Sequence, residues 1–422
     1  VTLRYDGSMN FAPGHRWGLF PGLSAGWVIS EENFFEPLKD VFSFFKLKGS
    51  WGMMGNDNIT AYQYLSMYSF NTDSYYAFGK TPVSVQSIYE TVTANPLVTW
   101  ETAKTWNIGF SSQFLNGKLG LDLDYFQSNR NDILITRNAS IPTYSGLSLP
   151  AENLGKVKNH GFEAIATYRD SKGDFEWGVT GNVTYAKNEV VYADEAADTP
   201  AWQRETGHPI DGGTYYKALG IYQTQEQIES TPHLSGTKIG DLIYQDTNKD
   251  GNITWDDAVR RDKSATPKWI FGLTLNGSWK GMDVNAFFQG QADAEILVQP
   301  TMNMATDFYE GRWSESNTAE QNAAAKWPRA FMKASSVDNR NSQSSTWWLR
   351  DASFVRLKSL EIGYTFPKTL ISPLGVEKLR LYVNGNNLFT IDSVGIFDPE
   401  MTNGIRGYSL QRSWTFGLNV TF

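Results

Sequence analysis

The stretch Trp414-Thr415-Phe416-Gly417-Leu418-Asn419-Val420-Thr421-Phe422 decides the fold. Every even position is large and apolar, and every odd position before Phe422 is Trp-free, small or polar. Successive side chains of a strand point to opposite faces, so this segment has one apolar face and one polar face. A strand with lipid on one side and a watery lumen on the other needs that pattern. The run ends in Phe422, as bacterial outer-membrane barrels usually do.

The pattern recurs upstream. Leu19, Pro21, Leu23, Ala25, Trp27 and Ile29 share one face, and Trp106, Ile108 and Phe110 share another. Leu119, Leu121, Leu123 and Tyr125 alternate with Gly120, Asp122, Asp124 and Phe126. Phe175, Trp177, Val179, Val183 and Tyr185 alternate with polar or small residues, as do Leu360, Ile362, Tyr364 and Phe366. Soluble sandwiches also alternate, but their strands are shorter, whereas several runs here exceed the length needed to cross a bilayer at a tilt. This reading predicts about twelve strands, near 1–11, 17–30, 43–52, 97–114, 119–136, 155–170, 175–190, 266–279, 282–292, 351–366, 378–391 and 409–422.

Composition agrees. Of 422 residues, 41% are hydrophobic, 14% are aromatic and the net charge is −8. Mean hydropathy is −0.40, so the apolar residues are dispersed among polar ones. No run of 18 apolar residues marks a membrane helix, while abundant Trp, Tyr and Phe suit aromatic girdles at the two membrane interfaces. There is no cysteine, which excludes disulfides, thiolate metal sites and a Cys nucleophile. The acidic balance gives no support to nucleic-acid binding. The chain starts at Val1 without a signal peptide. The expectation is a cleaved leader or a start partway through a longer protein.

Connections alternate in length. Asn116-Gly117-Lys118, Asp170–Asp174 and Lys280-Gly281 are tight turns. Long polar segments lie near 53–96, 137–154, 191–265, 293–350 and 392–408. Barrels alternate in this way because periplasmic turns are short and extracellular loops are long. The segments 53–96, 191–265 and 293–350 are thus expected outside the cell. Two connections break the rule: 31–42 is long on the periplasmic side and 12–16 is short on the outer side.

Several motifs resemble one family, the SusC/RagA-like TonB-dependent transporters of Bacteroidetes-type bacteria. Arg4-Tyr5-Asp6-Gly7-Ser8, Trp17-Gly18-Leu19-Phe20-Pro21 and Ser24-Ala25-Gly26-Trp27 are similar to a mid-barrel hairpin, and Leu47-Lys48-Gly49-Ser50-Trp51-Gly52 to its continuation. Asn95-Pro96-Leu97-Val98-Thr99-Trp100-Glu101 resembles an NPxLxWE stretch, and Asn159-His160-Gly161-Phe162-Glu163 an NxGxE pattern. Ser353-Phe354-Val355-Arg356-Leu357-Lys358, Asn384-Gly385-Asn386-Asn387-Leu388-Phe389 and Asp398-Pro399-Glu400 resemble three more, in family order. The resemblance implies an all-β, transmembrane antiparallel β-barrel. The twelve strands would be the C-terminal portion of 22, with the N-terminal plug and TonB-contacting segment outside this chain. It further implies outer-membrane import of a nutrient oligomer, glycan or peptide, with a SusD-like surface lipoprotein as lid, TonB as motor and outer-membrane lipid around the wall. No catalysis is implied.

The sharpest local motif is Asp246-Thr247-Asn248-Lys249-Asp250-Gly251-Asn252-Ile253-Thr254-Trp255-Asp256-Asp257. Asp246, Asn248 and Asp250 stand at positions 1, 3 and 5 of an EF-hand-like calcium loop, with Gly251 at the sharp turn, Asn252 offering a carbonyl and Asp257 at position 12. Asp reaches less far than the usual Glu, and flanking helices are not evident. A solvated Asx-rich turn is the other reading. If calcium binds, its role is structural. His15, His160, His208 and His233 are scattered and read as surface or turn residues. Asp122 and Asp124 sit about 7 Å apart on one strand face, near glycosidase separations, yet acidic residues are ordinary in a barrel lumen. Trp202, Tyr215, Tyr216, Trp313, Trp327 and Phe331 fall in the outer segments. They are candidates for stacking on sugars or peptide side chains, or for packing the loops against one another.

Two further classes stay open from sequence. One is an autonomous twelve-stranded outer-membrane pore or adhesin, or a membrane lipase, for which no convincing Ser/His pair is present. The other is a soluble carbohydrate-binding β-protein, which the uninterrupted apolar face of 414–422 opposes.

Overall fold

The computed structural model describes residues 1–71, 87–137, 150–298, 305–330, 340–401 and 410–422. Twelve strands form one antiparallel sheet in which each neighbour in space is the next long strand in sequence. They are β1 (Thr2–Gly7), β2 (Trp17–Val28), β3 (Phe42–Asn56), β4 (Glu101–Phe114), β5 (Leu119–Thr136) and β6 (Ala151–Lys172), followed by β7 (Phe175–Tyr192), β8 (Trp269–Trp279), β9 (Met282–Ala292), β10 (Phe354–Thr365), β11 (Lys378–Asp392) and β12 (Ser413–Thr421). Among the described residues β1 pairs only with β2 and β12 only with β11, so the sheet they form does not close on itself. This differs from the autonomous closed twelve-stranded pore, which requires a β1–β12 ladder.

The register turns the period-2 pattern into two continuous surfaces. Directly paired residues share a face. Across β4 to β12, one row reads Phe114, Leu119, Tyr168, Val179, Leu275, Ala286, Leu360, Gly385 and Trp414. A neighbouring row on the opposite face reads Arg169, Gly178, Asn276, Asn285, Glu361, Asn384 and Thr415. The apolar face stays uncovered along β12, where Phe416 is 82% and Leu418 58% exposed. A contiguous apolar surface of this extent is not left to water. The polar face carries its own ion pairs. Lys48 meets Asp124 at 2.6 Å, Arg380 meets Glu361 at 2.7 Å and also Asp283, and Asp122 accepts from the Ser111 hydroxyl. Asp122 and Asp124 therefore serve the lumen wall, on partners of their own.

The motifs account for local geometry. The Gly161 backbone runs against β7, and a Cβ there would lie 1.9 Å from the Tyr185 carbonyl oxygen. Gly417 lets the Tyr382 ring lie across it, with a Cβ there only 2.0 Å from the ring. β10 and β11 shift register between Leu357 and Ser359, and the extra residues opposite include Asn387, at φ +53°. That is a bulge with Asn in the left-handed region, the non-glycine residue best suited to it.

Several boundaries depart from the expected ones; β3 runs on to Asn56 rather than 52, β6 begins at Ala151 rather than 155 and β12 at Ser413 rather than 409. The first strand stops at Gly7 rather than residue 11, and the fourth begins at Glu101 rather than 97. Phe11, Val98 and Trp100 are apolar, so they extend the apparent pattern, but they turn off the sheet and pack with Phe20 in a small buried cluster. Asn95 builds this corner by accepting from the Leu97 amide and donating to the Ala151 carbonyl. The connection expected over 31–42 folds into two short 3-10 turns, Ile29–Glu31 and Asn33–Leu38.

In an up-and-down sheet, alternate connections lie at the same end. The connections after β3, β5, β7, β9 and β11 leave the sheet from one end, and the short turns 115–118, 173–174 and 280–281 lie at the other.

Candidate functional site

At the long-loop end, three connections fold into one cap. Its core joins Tyr216, Ile221, Leu242, Tyr244 and Ile253 from 193–268 with Ala294, Ile296, Val298, Trp313, Trp327, Trp348 and Ala352 from 293–353, and Val394 from the last loop. Short ladders stitch it together: Ala218–Ile221 with Leu242–Tyr244, Thr214–Tyr215 with Val259–Arg260, and Glu295–Leu297 with Leu349–Asp351. The Tyr216 amide donates to the Ser344 carbonyl at 2.9 Å, and the Thr346 amide donates back to the Tyr216 carbonyl at 2.9 Å.

Several polar groups at the centre are satisfied within the cap. Asp241 is fully buried and meets Arg329 at 2.6 Å and the Asn341 side-chain amide at 2.7 Å. Asn341 in turn accepts from the Leu242 amide, and its carbonyl accepts from the Trp348 indole at 2.9 Å. The Trp348 ring stacks on Trp327 at 5.6 Å and 14°. Gly240, at φ +89°, has the Trp313 ring where a Cβ would stand. Burial pushes the Tyr244 and Tyr216 hydroxyls above their ordinary range.

Of the two readings of the outer aromatics, loop packing describes Tyr216, Trp313 and Trp327. Tyr216, Trp313 and Trp327 are 6%, 8% and 3% exposed. Their rings pack in the loop core, because three loops of this length need an apolar core of their own, and the Trp327 ring also borders the cleft described below. Trp202 is half-buried, and its indole donates to the Asp256 carbonyl at 2.8 Å. Tyr215 is half-buried in the ladder with Val259. Neither is among the residues that line the cleft described below. Phe331 lies outside the described residues.

The 246–257 loop is closed by its own hydrogen bonds. Asp246 accepts from the Lys249 and Gly251 amides, Asn248 from Asp250, and Asp250 from the Asn252 amide and the Asn248 side chain. The Asn252 amide, followed by the Asn248 side chain, holds the Asp250 carboxyl below its ordinary range. Asp257 is fully buried and accepts from the amides of Thr247, Asn248 and Thr254. Among the described residues no three His, Cys, Asp or Glu side chains are grouped to hold a metal ion. The three loop carboxylates thus form no cage, and calcium here rests on sequence spacing alone.

What the cap does offer is a cleft of about 980 Å³. It lies between the helices Ala305–Gly311 and Ala319–Ala323, the segment 346–350 and residues 394–396. Trp347 and Arg350 form part of its wall. Arg350 is half-buried, and burial holds its pKa below the ordinary guanidinium range. Neither residue stands out in sequence, because Trp347 and Trp348 look alike until the fold turns one into the core and the other toward the cleft.

Comparison with known proteins agrees with this architecture. Residues 1–388 match the family model described as "TonB dependent receptor-like, beta-barrel". TonB-dependent receptor P3 of Formosa agariphila is 29% identical over 456 aligned positions, covering all of this chain and 43% of that protein. TonB-dependent receptor SusC of Bacteroides thetaiotaomicron is 28% identical, over all of this chain and 42% of that protein. The structure of the RagAB peptide transporter superposes with a TM-score of 0.75 at 21% identity, over all of this chain and 45% of that one. The chain spans less than half the length of these relatives.

Proposed function

Since the chain belongs to the TonB-dependent receptor-like β-barrel family, we propose that it forms lumen wall and outer-loop cap of an active importer in the outer membrane of a Bacteroidetes-type bacterium. The observation that carries this reading is the unclosed twelve-strand meander, with one continuous apolar face and one polar, ion-paired face. The apolar face lies against lipid and the polar face lines the lumen. The cargo is a nutrient oligomer, a glycan or peptide, received at the long-loop end. A SusD-like surface lipoprotein covers that end, and TonB acts through a plug contributed by the rest of the protein. The chain performs no catalytic step.

Two measurements test this on the whole protein. Affinity purification from outer membranes in detergent is expected to bring down a surface lipoprotein in equal amount. Growth on the imported nutrient is expected to be lost when TonB is deleted. Growth unaffected by loss of TonB contradicts the reading and favours a passive pore.

Calcium at the 246–257 loop is a separate proposal, supported by the spacing of Asp246, Asn248, Asp250, Asn252 and Asp257. Adding calcium to chelator-stripped protein should raise the melting midpoint of the cap if an ion is held there. An unchanged midpoint means that backbone hydrogen bonds suffice. In both cases Asp257→Ala leaves the amides of Thr247, Asn248 and Thr254 without their buried acceptor and is expected to cost the cap about 2 kcal/mol.

A further inference from the structure

The cleft in the cap has an ordered distribution of charge. Three cations line it, Arg312, Lys326 and Arg350, against two carboxylates, Asp307 and Glu310. The carboxylates are exposed on the helix at the rim, whereas Arg312 and Arg350 are half-buried. The cleft is therefore cationic in depth and mixed at its mouth.

Arg350 is held in a way that leaves a binding edge free. One guanidinium nitrogen, Nη1, donates to the carbonyls of Trp347 at 2.8 Å and Leu349 at 2.9 Å. The group also lies over the Trp327 ring at 5.2 Å. These contacts fix its orientation. Its Nε and Nη2 have no acceptor among the described residues, and no carboxylate pairs with it there. A fixed guanidinium with a free two-donor edge matches a carboxylate in bidentate geometry. Burying such a cation without a counterion costs stability, and a ligand carboxylate offsets that cost. The surroundings favour a sugar over a peptide as its bearer. Asn317 donates its amide N–H groups to the Arg312 carbonyl and Asn322, and Gln321 accepts from the Thr318 amide, which leaves the Asn317 oxygen and the Gln321 NH2 for sugar hydroxyls; Trp347, beside Arg350, offers an aromatic wall.

We propose that this cleft is a subsite for an acidic oligosaccharide, with Arg350 binding a uronate carboxylate and Lys326 adding charge at the mouth. The proposal rests on the import reading and names its substrate class. The test is equilibrium binding to the full-length transporter in detergent, with hexagalacturonate, neutral maltohexaose and a hexaglutamate peptide as probes. Hexagalacturonate is expected to bind best and to weaken with salt. Arg350→Gln is expected to lower its affinity on the order of ten- to a hundredfold. Lys326→Gln, at an exposed position that folding does not depend on, should lower it about threefold. Equal binding of maltohexaose, or unchanged affinity in both variants, overturns the carboxylate subsite. Tighter binding of hexaglutamate overturns the sugar assignment. If no acidic sugar binds while growth still requires TonB, this inference fails and the import reading stands.

Discussion

Replacing Trp348 with alanine is expected to loosen the outer cap while the twelve-stranded sheet persists. The side chain is fully buried, stacked on Trp327, and donates its indole N–H to the Asn341 carbonyl. Its removal deletes the largest filled volume in the cap and leaves that carbonyl without its donor. Truncating a buried tryptophan costs about 3–5 kcal/mol. The core draws on three loops, so the loss falls on their association. Limited proteolysis of the detergent-solubilised protein should produce new cleavages within 193–268 and 293–353 and none within the strands. A cleavage pattern identical to wild type means that the three loops do not share one core.

Arg356 is expected to be the costliest single residue of the lumen face. It is fully buried, with its guanidinium 2.7 Å from Asp398, also paired with Glu400, and its Nε donating to the Thr390 hydroxyl. It ties the Asp398-Pro399-Glu400 motif of the last loop to β10. Arg356→Leu leaves two largely enclosed carboxylates without a counterion, at a cost of about 3 kcal/mol. Amide exchange in 392–401 should rise sharply. The triple variant Arg356→Leu, Asp398→Asn, Glu400→Gln should recover part of the stability, because the uncompensated charge is then gone. A triple variant no better than Arg356→Leu would show that packing, not charge, holds the loop.

These two residues also show how far the sequence can be read. The strands were legible because each crosses between two unlike surroundings, which leaves a period of two in the residues themselves. The pairing of Arg356 with Asp398 and Glu400 joins two family-like motifs, so resemblance flagged both ends but not the contact between them. The boundaries at Gly7 and Glu101 were missed because Phe11, Val98 and Trp100 are apolar for a different reason, a corner cluster rather than a lipid face. That the long loops need an apolar core of their own is legible, but the way the cap is assembled is not. Its contacts join residues about 100 positions apart, such as Asp241 with Asn341 and Tyr216 with Ser344, and such pairs leave no periodic trace. A tryptophan in a loop core and one at a ligand surface are the same letter. Only the fold separates buried Trp348 from Trp347 and Arg350 at the cleft, with Trp327 bordering both core and cleft.

The chain has no cysteine of its own, so single cysteines can be placed along β12 and read without interference from within it. At each position from Trp414 to Thr421, reaction of the full-length transporter, in intact outer membranes, is compared for a water-soluble and a lipid-soluble maleimide. Strict alternation is expected, with 414, 416, 418 and 420 reacting from lipid and 415, 417, 419 and 421 from water. Uniform reaction with the water-soluble reagent at all eight positions would contradict the membrane wall on which everything else here is built.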